Sequence, residues 1–259
     1  MSLPVVLLAG GLGTRLREET ETRPKPMVEV GGFPILWHIM KTYASFGYNE
    51  FVICLGYKGG YIKDFFLNYS ARQGNLTIDT DTGLVEVHRE TDRDAWRVHL
   101  LDTGLSTMTG GRLRRAAQYL GNRPFMATYG DGLADINLHD LVSFHRRCGK
   151  SATITAVRPP ARFGGLSVEG DMVLEFIEKP QIGEGWINGG FMVLEPEIVD
   201  RIKEDATVFE REPLETLAAD GELAAFRHEG FWQCMDTARD VTYLRELWDL
   251  GAPPWKRWA

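Results

Sequence analysis

The chain alternates between short, wholly apolar runs and longer segments that carry a single apolar stripe. Val5-Val6-Leu7-Leu8 is the first such run, and Gly10-Gly11 ends it. Four consecutive apolar residues suit a strand buried on both faces. From Pro34 to Ser45, the residues Ile35, Leu36, Ile39, Met40, Tyr43 and Ala44 share one helical stripe, with Gly47 as the stop. Phe51 to Leu55 reads as the next strand and Tyr61 to Tyr69 as the next helix. A basic helix over Arg112 to Leu120 precedes a strand over Phe125 to Tyr129, which runs into Gly130-Asp131. A helix over Leu138 to Cys148 and a strand over Ala152 to Val157 follow. Such strand–helix alternation implies a parallel sheet covered on both faces.

Other stretches break the alternation. Leu76 to Leu101 reads as short strands with polar turns, and Gly165 to Ile177 as a hairpin turning at Glu169-Gly170-Asp171. Gly190 to Leu194 predicts a strand, Glu197 to Glu204 and Glu212 to Ala219 predict helices, and a strand is expected near Leu223–Phe226. The last helix is expected from about Thr237 to Leu250. The pattern predicts an α/β fold: a doubly wound, Rossmann-like, mostly parallel central sheet with small β insertions. No repeat, low-complexity stretch or linker interrupts it, so residues 1–259 are expected to form a single domain.

Composition narrows the function classes. Hydrophobic residues are 44% and charged residues 25% of the 259, which excludes a disordered chain or a disulfide scaffold. Cys54, Cys148 and Cys234 are far apart and form no CxxC pair, so the expectation is reduced thiols in a cytoplasmic protein rather than a cysteine zinc site. No apolar run reaches the ~18–20 residues of a membrane helix, and the N-terminus lacks the basic region of a signal peptide. With 36 acids against 29 bases and a net charge of −7, a broad nucleic-acid-binding face is not expected. A phosphate-bearing small molecule needs only a few local cations.

Two motifs carry chemistry. Leu8, Ala9, Gly10, Gly11, Leu12, Gly13, Thr14 and Arg15 form a glycine-rich turn directly after the first strand. Such a turn lets backbone N–H groups approach phosphate oxygens, although glycines alone also serve a plain tight turn. No Gly-Lys-Ser/Thr follows, so it is not a Walker A loop, and the third glycine of GxGxxG is absent. The second motif is Arg23-Pro24-Lys25-Pro26-Met27. Prolines on both sides restrict the Lys25 backbone, which suits a preorganised charge clamp as well as a solvated lysine in a proline-rich loop. Asp131 follows an apolar strand at the carboxyl end, where open α/β sheets bind ligands. Asp236, just before the last helix, reads on its own as that helix's N-cap.

LAGGLGTRL followed by RPKPMVE resembles the signature of the sugar nucleotidyltransferase family. The resemblance runs from Val5 to about Trp258 and tightens toward the cytidylyl branch. That branch is suggested by Trp37-His38-Ile39-Met40, Met108-Thr109-Gly110-Gly111-Arg112, Ile187-Asn188-Gly189-Gly190-Phe191 and Gly230-Phe231-Trp232. One departure is Thr107, where the family pattern has serine; both supply a hydroxyl.

The resemblance implies the nucleotide-diphospho-sugar transferase fold and the joining of CTP and glucose 1-phosphate to give CDP-glucose and pyrophosphate. It implies catalytic roles for Arg15 and Lys25 and a nucleotide site of residues 8–15, Lys25, Thr107, Gly111, Arg112 and Gly130. It reverses the cap reading of Asp236 and pairs it with Asp131 on Mg²⁺. It further implies that Tyr129, Glu178, Lys179, Asn188, Gly189 and Gly190 bind the sugar phosphate. Read without it, Glu178-Lys179-Pro180 is a charged turn and Arg112 a helical arginine paired with an exposed acid. The resemblance also implies a homo-oligomer, specifically a hexamer. Trp248, Trp255 and Trp258 crowd the C-terminus around Pro253-Pro254, as interface anchors do, or as a tail folded onto its own subunit would. Asp79-Thr80-Asp81 and Asp92-Arg93-Asp94 match the DxD pattern of glycosyltransferases, a rival class, and a non-catalytic sugar-nucleotide sensor is a third.

Overall fold

The structure, a computed structural model, describes residues 2–88, 94–159, 165–169, 172–177 and 185–258. In chain order the main elements are β1 (Val5–Leu8), α1 (Ile35–Ser45), β2 (Glu50–Leu55), α2 (Gly59–Leu67), β3 (Arg97–Asp102) and α3 (Thr109–Ala116). They continue with β4 (Phe125–Tyr129), α4 (Leu138–Cys148), β5 (Ala152–Val157), β6 (Ile187–Asn188) and β7 (Met192–Leu194). The last are α5 (Glu212–Ala219), β8 (Leu223–His228) and α6 (Ala238–Asp249).

Eight strands form the central sheet. β4, β1, β2 and β3 pair side by side and parallel. β7 joins β4 antiparallel, β5 pairs antiparallel with both β6 and β7, and β8 lies parallel to β5. The sheet is therefore mostly parallel, as expected, with β6 and β7 running against the rest.

The all-apolar β1 is explained by the two layers it separates. Val5 and Leu7 belong to one hydrophobic cluster, Val6 and Leu8 to the other, and all four are buried. β2 repeats the division, with Phe51, Ile53 and Leu55 on one side and Val52 and Cys54 on the other. The buried stripe of α1 covers the first face together with α2, α4 and α6, while α3 and α5 cover the second.

Several elements depart from the sequence reading. β3 is a parallel strand of the main sheet rather than part of a polar insertion; only Asn75–Ile78 and Val85–His88 form the small hairpin there. The basic helix begins at Thr109, and the segment expected as a helix over Glu197 to Glu204 is a 3-10 helix over Pro196–Arg201. The hairpin Gly165–Glu169 with Met172–Ile177 is present, while Gly170 and Asp171 of its turn lie outside the described residues.

The tryptophan-rich tail folds back onto its own chain. Trp255 is fully buried, and Trp248, Trp255 and Trp258 gather around His38 of α1, with Trp248 stacked on Trp255. Trp255 is taken up by the subunit's own core, and Trp248 and Trp258 pack against it half-buried, as a tail folded onto its own subunit would. Among the described residues no helix is long and apolar enough to cross a membrane.

Candidate active site

Register places the site. Leu8 pairs with both Cys54 and Tyr129, and Cys54 pairs with Leu101. The carboxyl ends of β1, β2, β3 and β4 are therefore level, and the segments leaving them share one rim. A cavity of about 500 Å³ opens there. Residues 8–15, Lys25, Leu105 to Thr109, Arg112, Tyr129, Gly130, Asp131 and Asp236 line it.

Asp131 and Asp236 are 105 positions apart, and a short antiparallel pairing brings them together. Gly132–Ala134 pairs with Trp232–Cys234, and the Met235 N–H extends the ladder by donating to the Asp131 carbonyl at 2.8 Å. Lys25 Nζ sits between the two carboxylates, 2.6 Å from Asp131 Oδ2 and 2.5 Å from Asp236 Oδ1. Arg15 Nη1 reaches the other Asp236 oxygen at 2.8 Å. Burial works against the charge on Lys25, yet Asp131 and Asp236 outweigh it and raise the ammonium above its usual range. Burial likewise opposes ionisation of Asp236, but Lys25 and Arg15 hold its carboxyl below the usual range. Lys25 and Asp236 thus each favour their charged form.

The N-cap of α6 is Thr237, not Asp236. Its hydroxyl accepts from the Asp240 N–H and Asp240 returns the bond in a capping box. With the cap supplied one residue later, the Asp236 side chain is free for the cavity. Among the described residues no three His, Cys, Asp or Glu side chains cluster as a ligand set. Two carboxylates converging on one cation suit a hard ion that takes its remaining ligands from substrate phosphates, as Mg²⁺ does.

Arg112 does not pair with an exposed acid. It is buried, and it donates to the carbonyls of Leu55 and Gly10 and to the Thr103 hydroxyl at 2.8, 3.1 and 2.6 Å. A Cβ at Gly10 would lie 2.0 Å from Arg112 Nη1. The first glycine of the loop therefore makes room for this guanidinium beneath the cavity floor. Gly111 is not a lining residue: a Cβ there would sit 2.4 Å from the Asp205 carbonyl. Its lack of a side chain allows α3 to pack on the segment before α5.

On the other side of the cavity, Asn188 Nδ2 donates to Tyr129 Oη at 3.1 Å, and Gly189 and Gly190 continue the same loop. These three stand behind Tyr129 rather than among the lining residues. Glu178 and Lys179 lie outside the described residues. Glu210 was not singled out from the sequence. It accepts hydrogen bonds from Tyr129 Oη and Thr109 Oγ1, both at 2.6 Å. A lone glutamate in Glu210-Arg211-Glu212 has no spacing that marks it. The rival DxD motifs stand elsewhere: Asp79 caps its own turn through the N–H groups of Asp81 and Thr82. Asp94 binds Lys41 and the Tyr69 hydroxyl, while Asp92 and Arg93 lie outside the described residues.

The nucleotidyl transferase family matches residues 4–249. Glucose-1-phosphate cytidylyltransferase from Salmonella typhi is 52% identical over 257 residues, covering 99% of this chain and 100% of the relative. Mannose-1-phosphate guanylyltransferase catalytic subunit beta from Dictyostelium discoideum is 30% identical, covering 93% of this chain and 63% of that protein. The crystal structure of HddC from Yersinia pseudotuberculosis shares the fold, with a TM-score of 0.68 at 24% identity over 95% of this chain and 99% of that one. With a glycine-rich rim, Lys25 seated between Asp131 and Asp236, and relatedness over nearly its whole length, the chain belongs to the nucleotidyl transferase family, within its glucose-1-phosphate cytidylyltransferase branch.

Proposed function

We propose that the protein joins CTP and glucose 1-phosphate to give CDP-glucose and pyrophosphate. The observation that carries this reading is the convergence of Lys25, Asp131, Asp236 and Arg15 at the rim of the glycine-rich loop. A sugar phosphate oxygen attacks the α-phosphorus of the triphosphate. The new P–O bond forms as the bond to the bridging oxygen breaks, and pyrophosphate departs with that electron pair. A phosphate monoester has its second pKa near 6, so the nucleophile is already mostly dianionic at neutral pH and requires no base. Catalysis then consists of alignment and charge neutralisation.

Arg15 and Lys25 are the cations for the triphosphate. The ionised neighbours of Lys25 keep it an ammonium despite its burial. Asp131 and Asp236 would hold Mg²⁺, which supplies further neutralisation of the phosphate oxygens. Thr107 and the main chain of residues 8–13 form the wall nearest the nucleotide, with Arg112 and Gly130 beneath it. Tyr129, with Asn188, Gly189 and Gly190 behind it, faces the sugar phosphate, where Glu178 and Lys179 are also assigned. The working environment is the cytoplasm.

CTP is the favoured nucleotide. Cytosine presents an amino donor and a protonless ring nitrogen where uracil reverses both. Each mismatch against fixed main-chain groups costs about 1–3 kcal/mol, or roughly five- to 150-fold. Measuring kcat/KM for CTP, UTP, dTTP and GTP with glucose 1-phosphate tests this. Equal or better use of dTTP or UTP overturns the choice of nucleotide and leaves the reaction class intact. A homo-oligomer, a hexamer by family resemblance, is part of the same reading. Light scattering at micromolar concentration that returns the 29.2 kDa monomer mass refutes it.

A further inference from the structure

We propose that Glu210 is a positioning residue that holds Tyr129 in place for the sugar phosphate. The inference rests on the reading of the rim cavity as the nucleotide and sugar phosphate site. Glu210 uses both carboxylate oxygens, and each accepts from a hydroxyl of a cavity-lining residue: Oε1 from Tyr129 and Oε2 from Thr109. It thereby spans the two walls.

The ends of this strut are not equally fixed. At the Thr109 end, the Phe209 N–H donates to Thr109 Oγ1 at 2.9 Å. The Gly110 and Met108 N–H groups bond the carbonyls of Thr207 and Asp205 at 3.0 and 2.8 Å. Phe209 itself is fully buried in the second hydrophobic cluster. The segment carrying Glu210 is thus locked to the N-terminus of α3 by main-chain bonds that do not involve its carboxylate.

Among the described residues the Tyr129 hydroxyl has Glu210 and Asn188 as its partners. Asn188 donates to it, so among those residues Glu210 is the acceptor for its proton. A carboxylate accepting from a phenol forms a short, charge-assisted bond, which fixes the ring at the end of β4, two residues before Asp131. Removing the carboxylate leaves the Thr109 wall anchored and lets the Tyr129 wall drift. The damage falls on the sugar phosphate and spares the nucleotide.

The test is a double-mutant cycle of Glu210→Ala with Tyr129→Phe. Glu210→Ala is expected to raise KM for glucose 1-phosphate about tenfold and to leave KM for CTP within about twofold, with Glu210→Gln intermediate. In the Tyr129→Phe background, Glu210→Ala adds little, because the bond it supports is already gone. A purely structural role predicts multiplied losses and equal damage to both KM values, and either result overturns the proposal. Should Glu210→Ala fail to fold, the same cycle runs with Glu210→Gln. If neither Tyr129→Phe nor Glu210→Ala alters either KM in enzyme that Lys25→Ala does inactivate, Tyr129 is not at the sugar phosphate and the proposal falls with that assignment. If Lys25→Ala is also without effect, the reading of the cavity itself has failed.

Discussion

Acid should unfasten the C-terminal tail through His38. This imidazole is fully buried on α1, with Nε2 2.8 Å from the Val30 carbonyl oxygen. A carbonyl can only accept, so Nε2 carries the hydrogen and Nδ1 offers a lone pair. The Trp255 indole N–H donates to that lone pair at 3.4 Å. Protonation would set an N–H on Nδ1 against the N–H of Trp255. Burial pulls the imidazole down to about 4, against the opposing effects of the Val30 and Phe33 backbone. The unfolded chain takes up this proton near pH 6.5, while the folded chain refuses it until about pH 4. His38 therefore contributes full stability above pH 6.5, loses it progressively as the pH falls, and contributes nothing further below about 4. At 1.36 kcal/mol per pH unit, the loss across that window is ~3 kcal/mol. Urea unfolding of the wild type and His38→Gln between pH 7 and pH 4 measures it as the difference between the two curves, which cancels the contribution of the carboxylates. Parallel curves would refute the argument. So would an NMR titration of the His38 ring with a midpoint near 6.

Two further predictions address Lys25 and the two aspartates beside it. Lys25→Ala should cost about 10²–10³ in turnover with an unchanged melting curve; near-wild-type turnover rejects its role as a phosphate clamp. Asp131→Asn and Asp236→Asn should each raise the Mg²⁺ concentration needed for half-maximal rate. Their combined effect should fall short of the product of the singles, and strictly multiplied losses with unchanged Mg²⁺ dependence would count against a shared ion.

Where burial is uniform, the sequence was easy to read. β1, α4, β5 and α5 lie on the positions their apolar patterns predict, because a strand sealed on both faces or a helix with one buried stripe has little alternative. β3 escaped notice because it is an edge strand: Arg97 is exposed and Val98, His99 and Leu100 are only half-buried, so its pattern resembles that of the hairpin before it. The cap of α6 shows a different limit. Asp236 and Thr237 are adjacent and both of cap-forming types, with Asp the commoner, and the capping box with Asp240 selects Thr237. The glycine-rich loop and Lys25 were legible as motifs, but the partners of Lys25 come from positions 131 and 236, which no local spacing connects. Glu210 and the inward course of Arg112 depend on contacts between distant segments and leave no periodic trace.

The Arg112 guanidinium ties together Gly10 and Gly56, which lie against it from two segments. A Cβ at Gly56 would meet its nitrogens at 2.8 Å, just as one at Gly10 would meet them at 2.0 Å. A Gly10→Ala change therefore requires position 112 to shrink, a Cβ at Gly56 would also meet the Gly10 carbonyl oxygen at 2.5 Å whatever stands at 112, and a smaller residue at 112 removes one donor from each of the Gly10 and Leu55 carbonyls, leaving the Tyr57 N–H on the first and Thr103 on the second. Single substitutions at these positions are therefore expected to lower stability. Efforts to retune nucleotide choice by random mutagenesis should find these three positions epistatically frozen, with variation accumulating instead at exposed lining positions such as Leu12, Leu105 and Met108.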